Sequence, residues 1–320
     1  GVLFVAFLVI GVILSIPNNK PEKQLAHAAP TNAIYHWRTT FDPSEEELAL
    51  LQEQGITRIY MHMFDVDRVF DISSDSYSLE PIATTVFNAP IPEGVEVIPT
   101  VFITYESLPM INRRESIYAE LIVERVKAMM SYNNLGPLRE VQLDCDWTVK
   151  TRETYFTLCH KVREMLKADN IDLSVTVRLH QLNEEAPDVD RGVLMLYNTG
   201  SIVNANTKNS ILDINDVRPY LNRAQKYPIP LDYAYPTYGW GVKFSGDKYM
   251  GIVSNPDEQS LATGETIRYE RPSVATILEV KSLVERCLGK PYRNNIIYHL
   301  DEKQLKNYTN DEIAQILAHN

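Results

Sequence analysis

From residue 33 onward the chain repeats one theme: a short apolar run, a polar turn, then an amphipathic stretch. The apolar runs are AIYHWRT (33–39), ITRIYMHMFDVD (56–67), VEVIPTVFITYE (95–106), EVQLDCDWT (140–148), Leu173 to Leu182, RGVLMLYN (191–198), LDYAYPTYGW (231–240) and NNIIYHLDE (294–302). Between them lie helical patterns. SEEELALLQEQ follows Asp42-Pro43, carries acids in its first turn and stops at Gly55. SIYAELIVERVKAMM (116–130), TRETYFTLCHKVREMLK (151–167), DINDVRPYLNRAQKY (213–227), PSVATILEVKSLVERCLG (272–289) and a closing NDEIAQILAH read the same way. Strands that alternate with helices pair in parallel, and eight such units predict one α/β domain, a (β/α)8 TIM barrel over residues 33–320. A doubly wound open sheet is the alternative, but that fold expects a Gly-rich phosphate turn, and no GxGxxG or GxxxxGK[ST] occurs. The segment between the second and third strands lacks a helical pattern, so one unit is irregular.

The N-terminus follows other rules. VLFVAFLVIGVILSI (2–16) carries no charge, and its length suits a signal-peptide core better than a span of roughly 20 residues. Residues 1–16 therefore read as a signal peptide or N-terminal membrane anchor, with a buried helix as the bland reading. Ala26-His27-Ala28 offers a cleavage site, and no cysteine follows for lipid attachment. Residues 17–32, rich in Pro, Asn and Ala, read as a linker. The expectation is an exported protein, periplasmic or anchored at the cell envelope, touching the membrane through this segment if it is uncleaved.

The net charge of -11 argues against nucleic acid as a partner, which needs a basic footprint. The three cysteines, Cys145, Cys159 and Cys287, show no CxxC or Cys/His spacing and read as buried free thiols.

Functional residues of such a barrel gather at the C-terminal ends of its strands. Those ends are polar or aromatic here: Phe64-Asp65-Val66-Asp67, Thr104-Tyr105-Glu106, Asp144-Cys145-Asp146-Trp147, Arg178-Leu179-His180-Gln181, Tyr197-Asn198, the Tyr233, Tyr235, Tyr238 and Trp240 group, and His299-Leu300-Asp301-Glu302. Along the fourth strand, Gln142, Asp144 and Asp146 share one face, and Leu143, Cys145 and Trp147 the other. Acids with one Arg, His and many aromatics suit a neutral polyhydroxylated ligand, because rings stack on sugars and carboxylates accept from hydroxyls. Glycoside hydrolysis needs two carboxyl groups, roughly 5–5.5 Å apart for retention or 6.5–9.5 Å for inversion. Asp146 with Glu302 is the favoured pair, with Asp144 in support. Trp147, Arg178, His180, Tyr197, Asn198, Tyr235, Tyr238, Trp240, His299, Asp301 and Glu106 are the candidate substrate contacts.

Bland readings stand beside these. Asp144 and Asp146 could anchor neighbouring strands, with Arg178 as a structural ion-pair partner. His62 in RIYMHMF reads as a core histidine, and Trp37 is equally a sugar platform or a plug. Asp144-x-Asp146 with Asp65, Asp67 and His180 or His299 could ligate a divalent ion, but there is no HExxH, EF-hand loop or dense His cluster, so no metal and no cofactor is expected. A Ser/His/Asp hydrolase lacks its GxSxG elbow.

QLDCDWT resembles the fourth-strand signature of the family 18 chitinases, D-x-x-D-x-D-x-E. Asp144 and Asp146 match its second and third acids, while Val141 and Thr148 stand where the first acid and the catalytic Glu would be. A wider resemblance runs through YHWRT, VQLDCDWT, TRETYFTLCHKVREML, LSVTVRLHQL and VDRGVLMLYNTG, over most of residues 33–305. It is to a family of exported bacterial barrels described as glycoside-hydrolase-like, which supplies no assigned catalytic residues. The expectation is a glycoside-hydrolase-like barrel that acts on or binds a carbohydrate at its C-terminal rim. The alternative is a non-catalytic carbohydrate-binding or scaffold barrel at the envelope, which Thr148 favours.

Overall fold

A computed structural model describes residues 30–222, 227–253 and 260–319. The apolar stretch 2–16, the linker up to residue 29 and residues 223–226 of the expected fourth-helix region lie outside the described residues. Eight strands close into a parallel barrel: β1 (Thr31–His36), β2 (Ile56–Asp71), β3 (Glu96–Ile103), β4 (Glu140–Asp144), β5 (Asp172–Val177), β6 (Arg191–Met195), β7 (Leu231–Pro236) and β8 (Asn294–Tyr298). Each pairs with its sequence neighbours, and β1 closes the ring by pairing with both β2 and β8, as in Ile34 opposite Ile59 and Ala33 opposite Ile296. The sheet thus has no open edge around the ring. β1 begins at Thr31, two residues into the expected linker.

The outer layer is α1 (Glu45–Glu53), α2 (Glu115–Tyr132), α3 (Arg152–Lys167), α4 (Ile214–Leu221), α5 (Val274–Leu288) and α6 (Asn310–Leu317). α3 shows why these stretches are helical and where they sit. Tyr155, Leu158, Cys159, Val162 and Leu166 recur at three- and four-residue spacing and are the buried residues of that helix. Ser44 and Glu47 form a capping box at the start of α1, and Gly55 beyond its end takes φ +57, which glycine adopts without penalty.

Two units lack a full helix. β2 runs on past the barrel to Asp71 and folds back as an antiparallel ribbon with Ser76–Ile82. After β5 the chain takes a 3-10 turn, Leu179–Asn183, so the expected strand through Leu182 ends at Val177. Between β7 and α5 a three-stranded antiparallel sheet is inserted, from Trp240–Ser245, Lys248–Val253 and Glu265–Glu270.

The barrel interior is polar in layers. At the N-terminal end Glu140 takes Arg58 at 2.7 Å and Arg191 at 3.7 Å, and Arg58 also reaches Glu96 at 2.9 Å. Burial pushes the Glu140 carboxyl up, but Arg191 and Arg58 outweigh it and hold it below its ordinary value. In the middle, Gln142 Oε1 accepts from the Tyr35 hydroxyl at 2.8 Å and the Thr100 hydroxyl at 3.3 Å. These inward side chains keep Asp144, the last residue of β4, at the mouth. The expectation of three buried thiols is corrected at one position. Cys145 and Cys159 are buried, but Cys287 is exposed, because the last turn of α5 rotates it away from the barrel.

Candidate functional site

A cleft of about 460 Å³ opens at the C-terminal mouth of the barrel. Its walls are aromatic: Trp37 beyond β1, Phe102 of β3, Tyr105, Tyr197 beyond β6, Tyr298 ending β8 and Tyr220 of α4. Its polar lining is Asp144, Asp146, Arg178, His180, Asn198 and Thr199, with Leu179 and Met195 between. The rings support one another. Tyr197 stacks on Tyr298 with centroids 4.6 Å apart, and Trp37 stands edge-on to Phe102 at 6.4 Å and tilted to Tyr298 at 6.1 Å. Trp37 is itself backed by His62 at 5.0 Å, a buried residue whose Nε2 lies 2.7 Å from Asp65 and whose Nδ1 lies 3.2 Å from the Thr85 hydroxyl.

The two acids differ in surroundings. Asp144 is buried at the cleft floor, and its Oδ1 accepts from the Thr176 hydroxyl at 2.6 Å and Arg178 Nη2 at 2.8 Å. Burial opposes the Arg178 charge, but Asp144, Tyr197 and Asp146 outweigh it and hold the guanidinium above its ordinary value. Met195 Sδ packs against the other guanidinium nitrogen. Asp146, two residues on, has left the strand. Its side chain is 56% exposed and lies 3.4 Å from His180 Nε2. Burial, with Asp144 adding its charge, pushes the Tyr298 hydroxyl well above the phenol range.

The structure brings together Asp144, Asp146, Arg178, His180, Tyr197 and Asn198 of the residues expected from the sequence. The others lie elsewhere. Glu302 starts a short helix, its backbone N–H donates to Glu47 Oε1 at 3.0 Å, and it lines a separate groove against α1. Asp301 caps that helix through the Lys303 N–H. The chain turns outward after Tyr298, which removes both acids from the cleft and Asp146 from its expected partner. His299 is half-buried behind the wall, and burial, with Arg38 nearby and Asp301 opposing, pushes its pKa down to about 4. Trp147, three residues past the end of β4, packs on the helix layer, 5.1 Å from Phe156 and 6.4 Å from Tyr155. Tyr235 is fully buried on the outward face of β7 toward α5. Glu106 stands beside Tyr105 but outside the cleft lining. The Tyr238–Trp240 turn, expected to touch substrate, is packed behind the wall: the Tyr238 hydroxyl donates to Asn198 Oδ1 at 2.6 Å and Trp240 Nε1 donates to Glu270 at 2.9 Å.

Phe102, Tyr298 and Tyr220 join the cleft without having been singled out. Phe102 shares the inward face with Thr100, and Tyr298 shares one with Ile296, so face counting along each strand could have found both. Tyr220 comes from a helix, and no local pattern signals it. Among the described residues no group of three or more His, Cys, Asp or Glu side chains is arranged to hold a metal ion, and no helix is long and apolar enough to cross a membrane.

The closed ring of eight parallel strands with its mouth cleft is a (β/α)8 TIM-barrel fold. Solved structures of that kind superpose on it. The spore cortex-lytic enzyme SleL of Bacillus cereus matches with TM-score 0.58 and 16% identity over 91% of this chain and 75% of that one. Chitinases of Chromobacterium violaceum (TM-score 0.55, 12% identity, 91% of this chain and 100% of that one) and Bacteroides thetaiotaomicron (0.55, 12%, 92% and 98%) match similarly. The resemblance drawn from the fourth strand therefore holds at the level of fold. No family model matches the chain, and no curated protein matches it.

Proposed function

We propose that this chain is a glycoside-hydrolase-like barrel that binds an oligosaccharide in its mouth cleft. The observation that carries the reading is the cleft wall itself: six aromatic rings enclosing two carboxylates, an arginine and a histidine in about 460 Å³. Flat apolar rings cover the faces of a sugar, and the polar floor takes its hydroxyls. Chitinases and a spore cortex-lytic enzyme are among the solved structures that share the fold, which makes an oligosaccharide the first ligand to test; fold alone does not assign a substrate. The charge-free stretch 2–16 supports export or anchoring at the cell envelope.

Hydrolysis is a second reading, favoured by Asp146 and His180 standing side by side and open to the cleft. Both residue types serve as general acids or bases. It stands second because Asp144, the other carboxyl of the cleft, is already engaged by Thr176 and Arg178.

Titration calorimetry with N-acetylchitohexaose and cellohexaose, beside an aryl-glycoside hydrolysis screen, tests both. Saturable binding that Trp37→Ala weakens about tenfold is expected, a loss of roughly 1.4 kcal/mol. Turnover that Asp146→Asn abolishes establishes the second reading. A chain that neither binds nor cleaves any saccharide overturns both.

A further inference from the structure

We propose that Glu270, which lies outside the cleft, is a positioning residue that holds the loop after β6 in the shape that reads the bound saccharide. The proposal rests on the saccharide-binding reading above. Asn198 and Thr199, at the start of that loop, line the cleft, and the loop runs on to Asp213 at the head of α4. It has no core of its own, since no residue from Ser201 to Asn209 is buried. Something else must hold it.

Glu270 ends the inserted three-stranded sheet, and its side chain is wholly buried. Its Oε2 accepts from Ser210 N at 2.9 Å, Ser210 Oγ at 2.5 Å and Trp240 Nε1 at 2.9 Å, and its Oε1 from Arg268 Nε at 2.6 Å. A carboxylate is kept in such a place only when its oxygens are satisfied, and four donors satisfy this one. Arg268 extends the hold with its remaining nitrogens, donating to the carbonyls of Asn204 at 2.8 Å, Ala205 at 3.2 Å and Ile202 at 3.2 Å. The carboxylate and its arginine thus grip both arms of the loop.

Two routes lead from this clamp to the cleft. Ser210 O accepts from Gly200 N at 3.1 Å, and Ile211 O accepts from Thr199 N at 3.3 Å, so pinning Ser210 pins Thr199. Trp240 stands edge-on to Tyr238 at 5.3 Å, and the Tyr238 hydroxyl donates to Asn198 Oδ1. Asn198 turns the chain at φ +54, a conformation that Asn adopts more readily than most side chains, and the Tyr238 bond fixes its amide there. Gly239 lets the clamp close: a Cβ there would stand 2.6 Å from Glu270 O.

The test uses the full chain and three variants, Glu270→Ala, Glu270→Gln and Tyr238→Phe. Hydrogen exchange at Thr199, Gly200 and Ile211 is read without ligand, and Kd for N-acetylchitohexaose and cellohexaose is read separately. Exchange at these amides is expected to rise about tenfold in Glu270→Ala with the barrel strands unchanged. Kd is expected to weaken about tenfold in Glu270→Ala and in Tyr238→Phe, which keeps the ring and the melting temperature. Glu270→Gln, whose one amide oxygen can serve Ser210 and Trp240 but whose NH2 then faces Arg268 Nε, is expected to recover only part of the affinity. Unchanged exchange in Glu270→Ala overturns the clamp. Raised exchange with wild-type Kd overturns its positioning role. Raised exchange in a chain that binds neither hexasaccharide supports the clamp and overturns the reading it serves. Should Glu270→Ala fail to fold, exchange at Thr199, Gly200 and Ile211 in Glu270→Gln, which breaks the Arg268 bond, decides by the same criterion.

Discussion

His36 is fully buried at the end of β1, edge-on to Phe41 at 5.2 Å. Burial, reinforced by Arg38, His299 and His62, pushes its pKa down to about 3, and His299 is likewise pushed down to about 4. Both imidazoles are therefore neutral in the folded chain, whereas an unfolded histidine takes up a proton near pH 6.5. The unfolded state then binds more protons at every pH between those limits. Stability is fully present above about pH 6.5 and falls as pH drops toward 4, by about 1.4 kcal/mol per pH unit for each histidine. Urea unfolding at pH 7, 6, 5 and 4 should show this slope, and His36→Leu should reduce it by one histidine's share. Equal slopes in the two proteins would remove His36 as the source. None of this was visible in YHWRT, where His36 shows only that a histidine stands beside Trp37. Its environment is assembled from residues 38–41, β2 and the segment after β8.

The last helix illustrates what holds an element in place. Thr309 and Glu312 form a capping box at the start of α6, a pattern readable from T-N-D-E alone. The other end is held from a distance. Lys281 of α5, buried among apolar neighbours, donates through Nζ to the carbonyls of Ile316 at 2.8 Å, Ala318 at 2.5 Å and Gln315 at 3.4 Å. Asn295 of β8 adds a donor to Ala318 O at 2.8 Å. These are the carbonyls a helix end leaves without partners. Lys281→Met should leave most of them unpaired, costing about 1–3 kcal/mol. Hydrogen exchange should then rise along 310–317 and stay unchanged in the barrel strands; uniform protection in the variant would dismiss the latch. In the sequence Lys281 is one lysine in a helical pattern, and nothing local marks it as buried. The same limit applied to Glu302, where the strand-end acid was legible but the outward turn after Tyr298 was not.

The whole molecule separates its two ends. At the N-terminal end Glu140 is locked between Arg58 and Arg191, and at the C-terminal end lies the cleft. In barrels of this fold the lower face serves stability and the upper face serves chemistry. Glu140→Ala should leave two arginines short of a partner and cost about 3 kcal/mol in denaturant unfolding, with hexasaccharide Kd unchanged. Asp146→Asn should do the opposite, since its side chain is 56% exposed and pairs with His180 at the cleft rather than with the barrel interior. A Glu140→Ala protein whose affinity falls in step with its stability would deny that separation.

The sequence by itself determined the eight strands, the helices between most of them, the irregular second unit, and the acids and aromatics that would crowd one rim. It could do so because strand and helix periodicities are local, and because parallel strands put all their C-terminal ends together. Tertiary structure alone decided which rim residues face the cleft. Asp144 and Asp146 do, and Glu302, Trp147 and Tyr235 do not. A side chain's direction at the mouth depends on where the strand lets go of its neighbours and which way the next segment turns. That is set by contacts between residues far apart in the chain, such as Glu302 with Glu47 and Ser210 with Glu270.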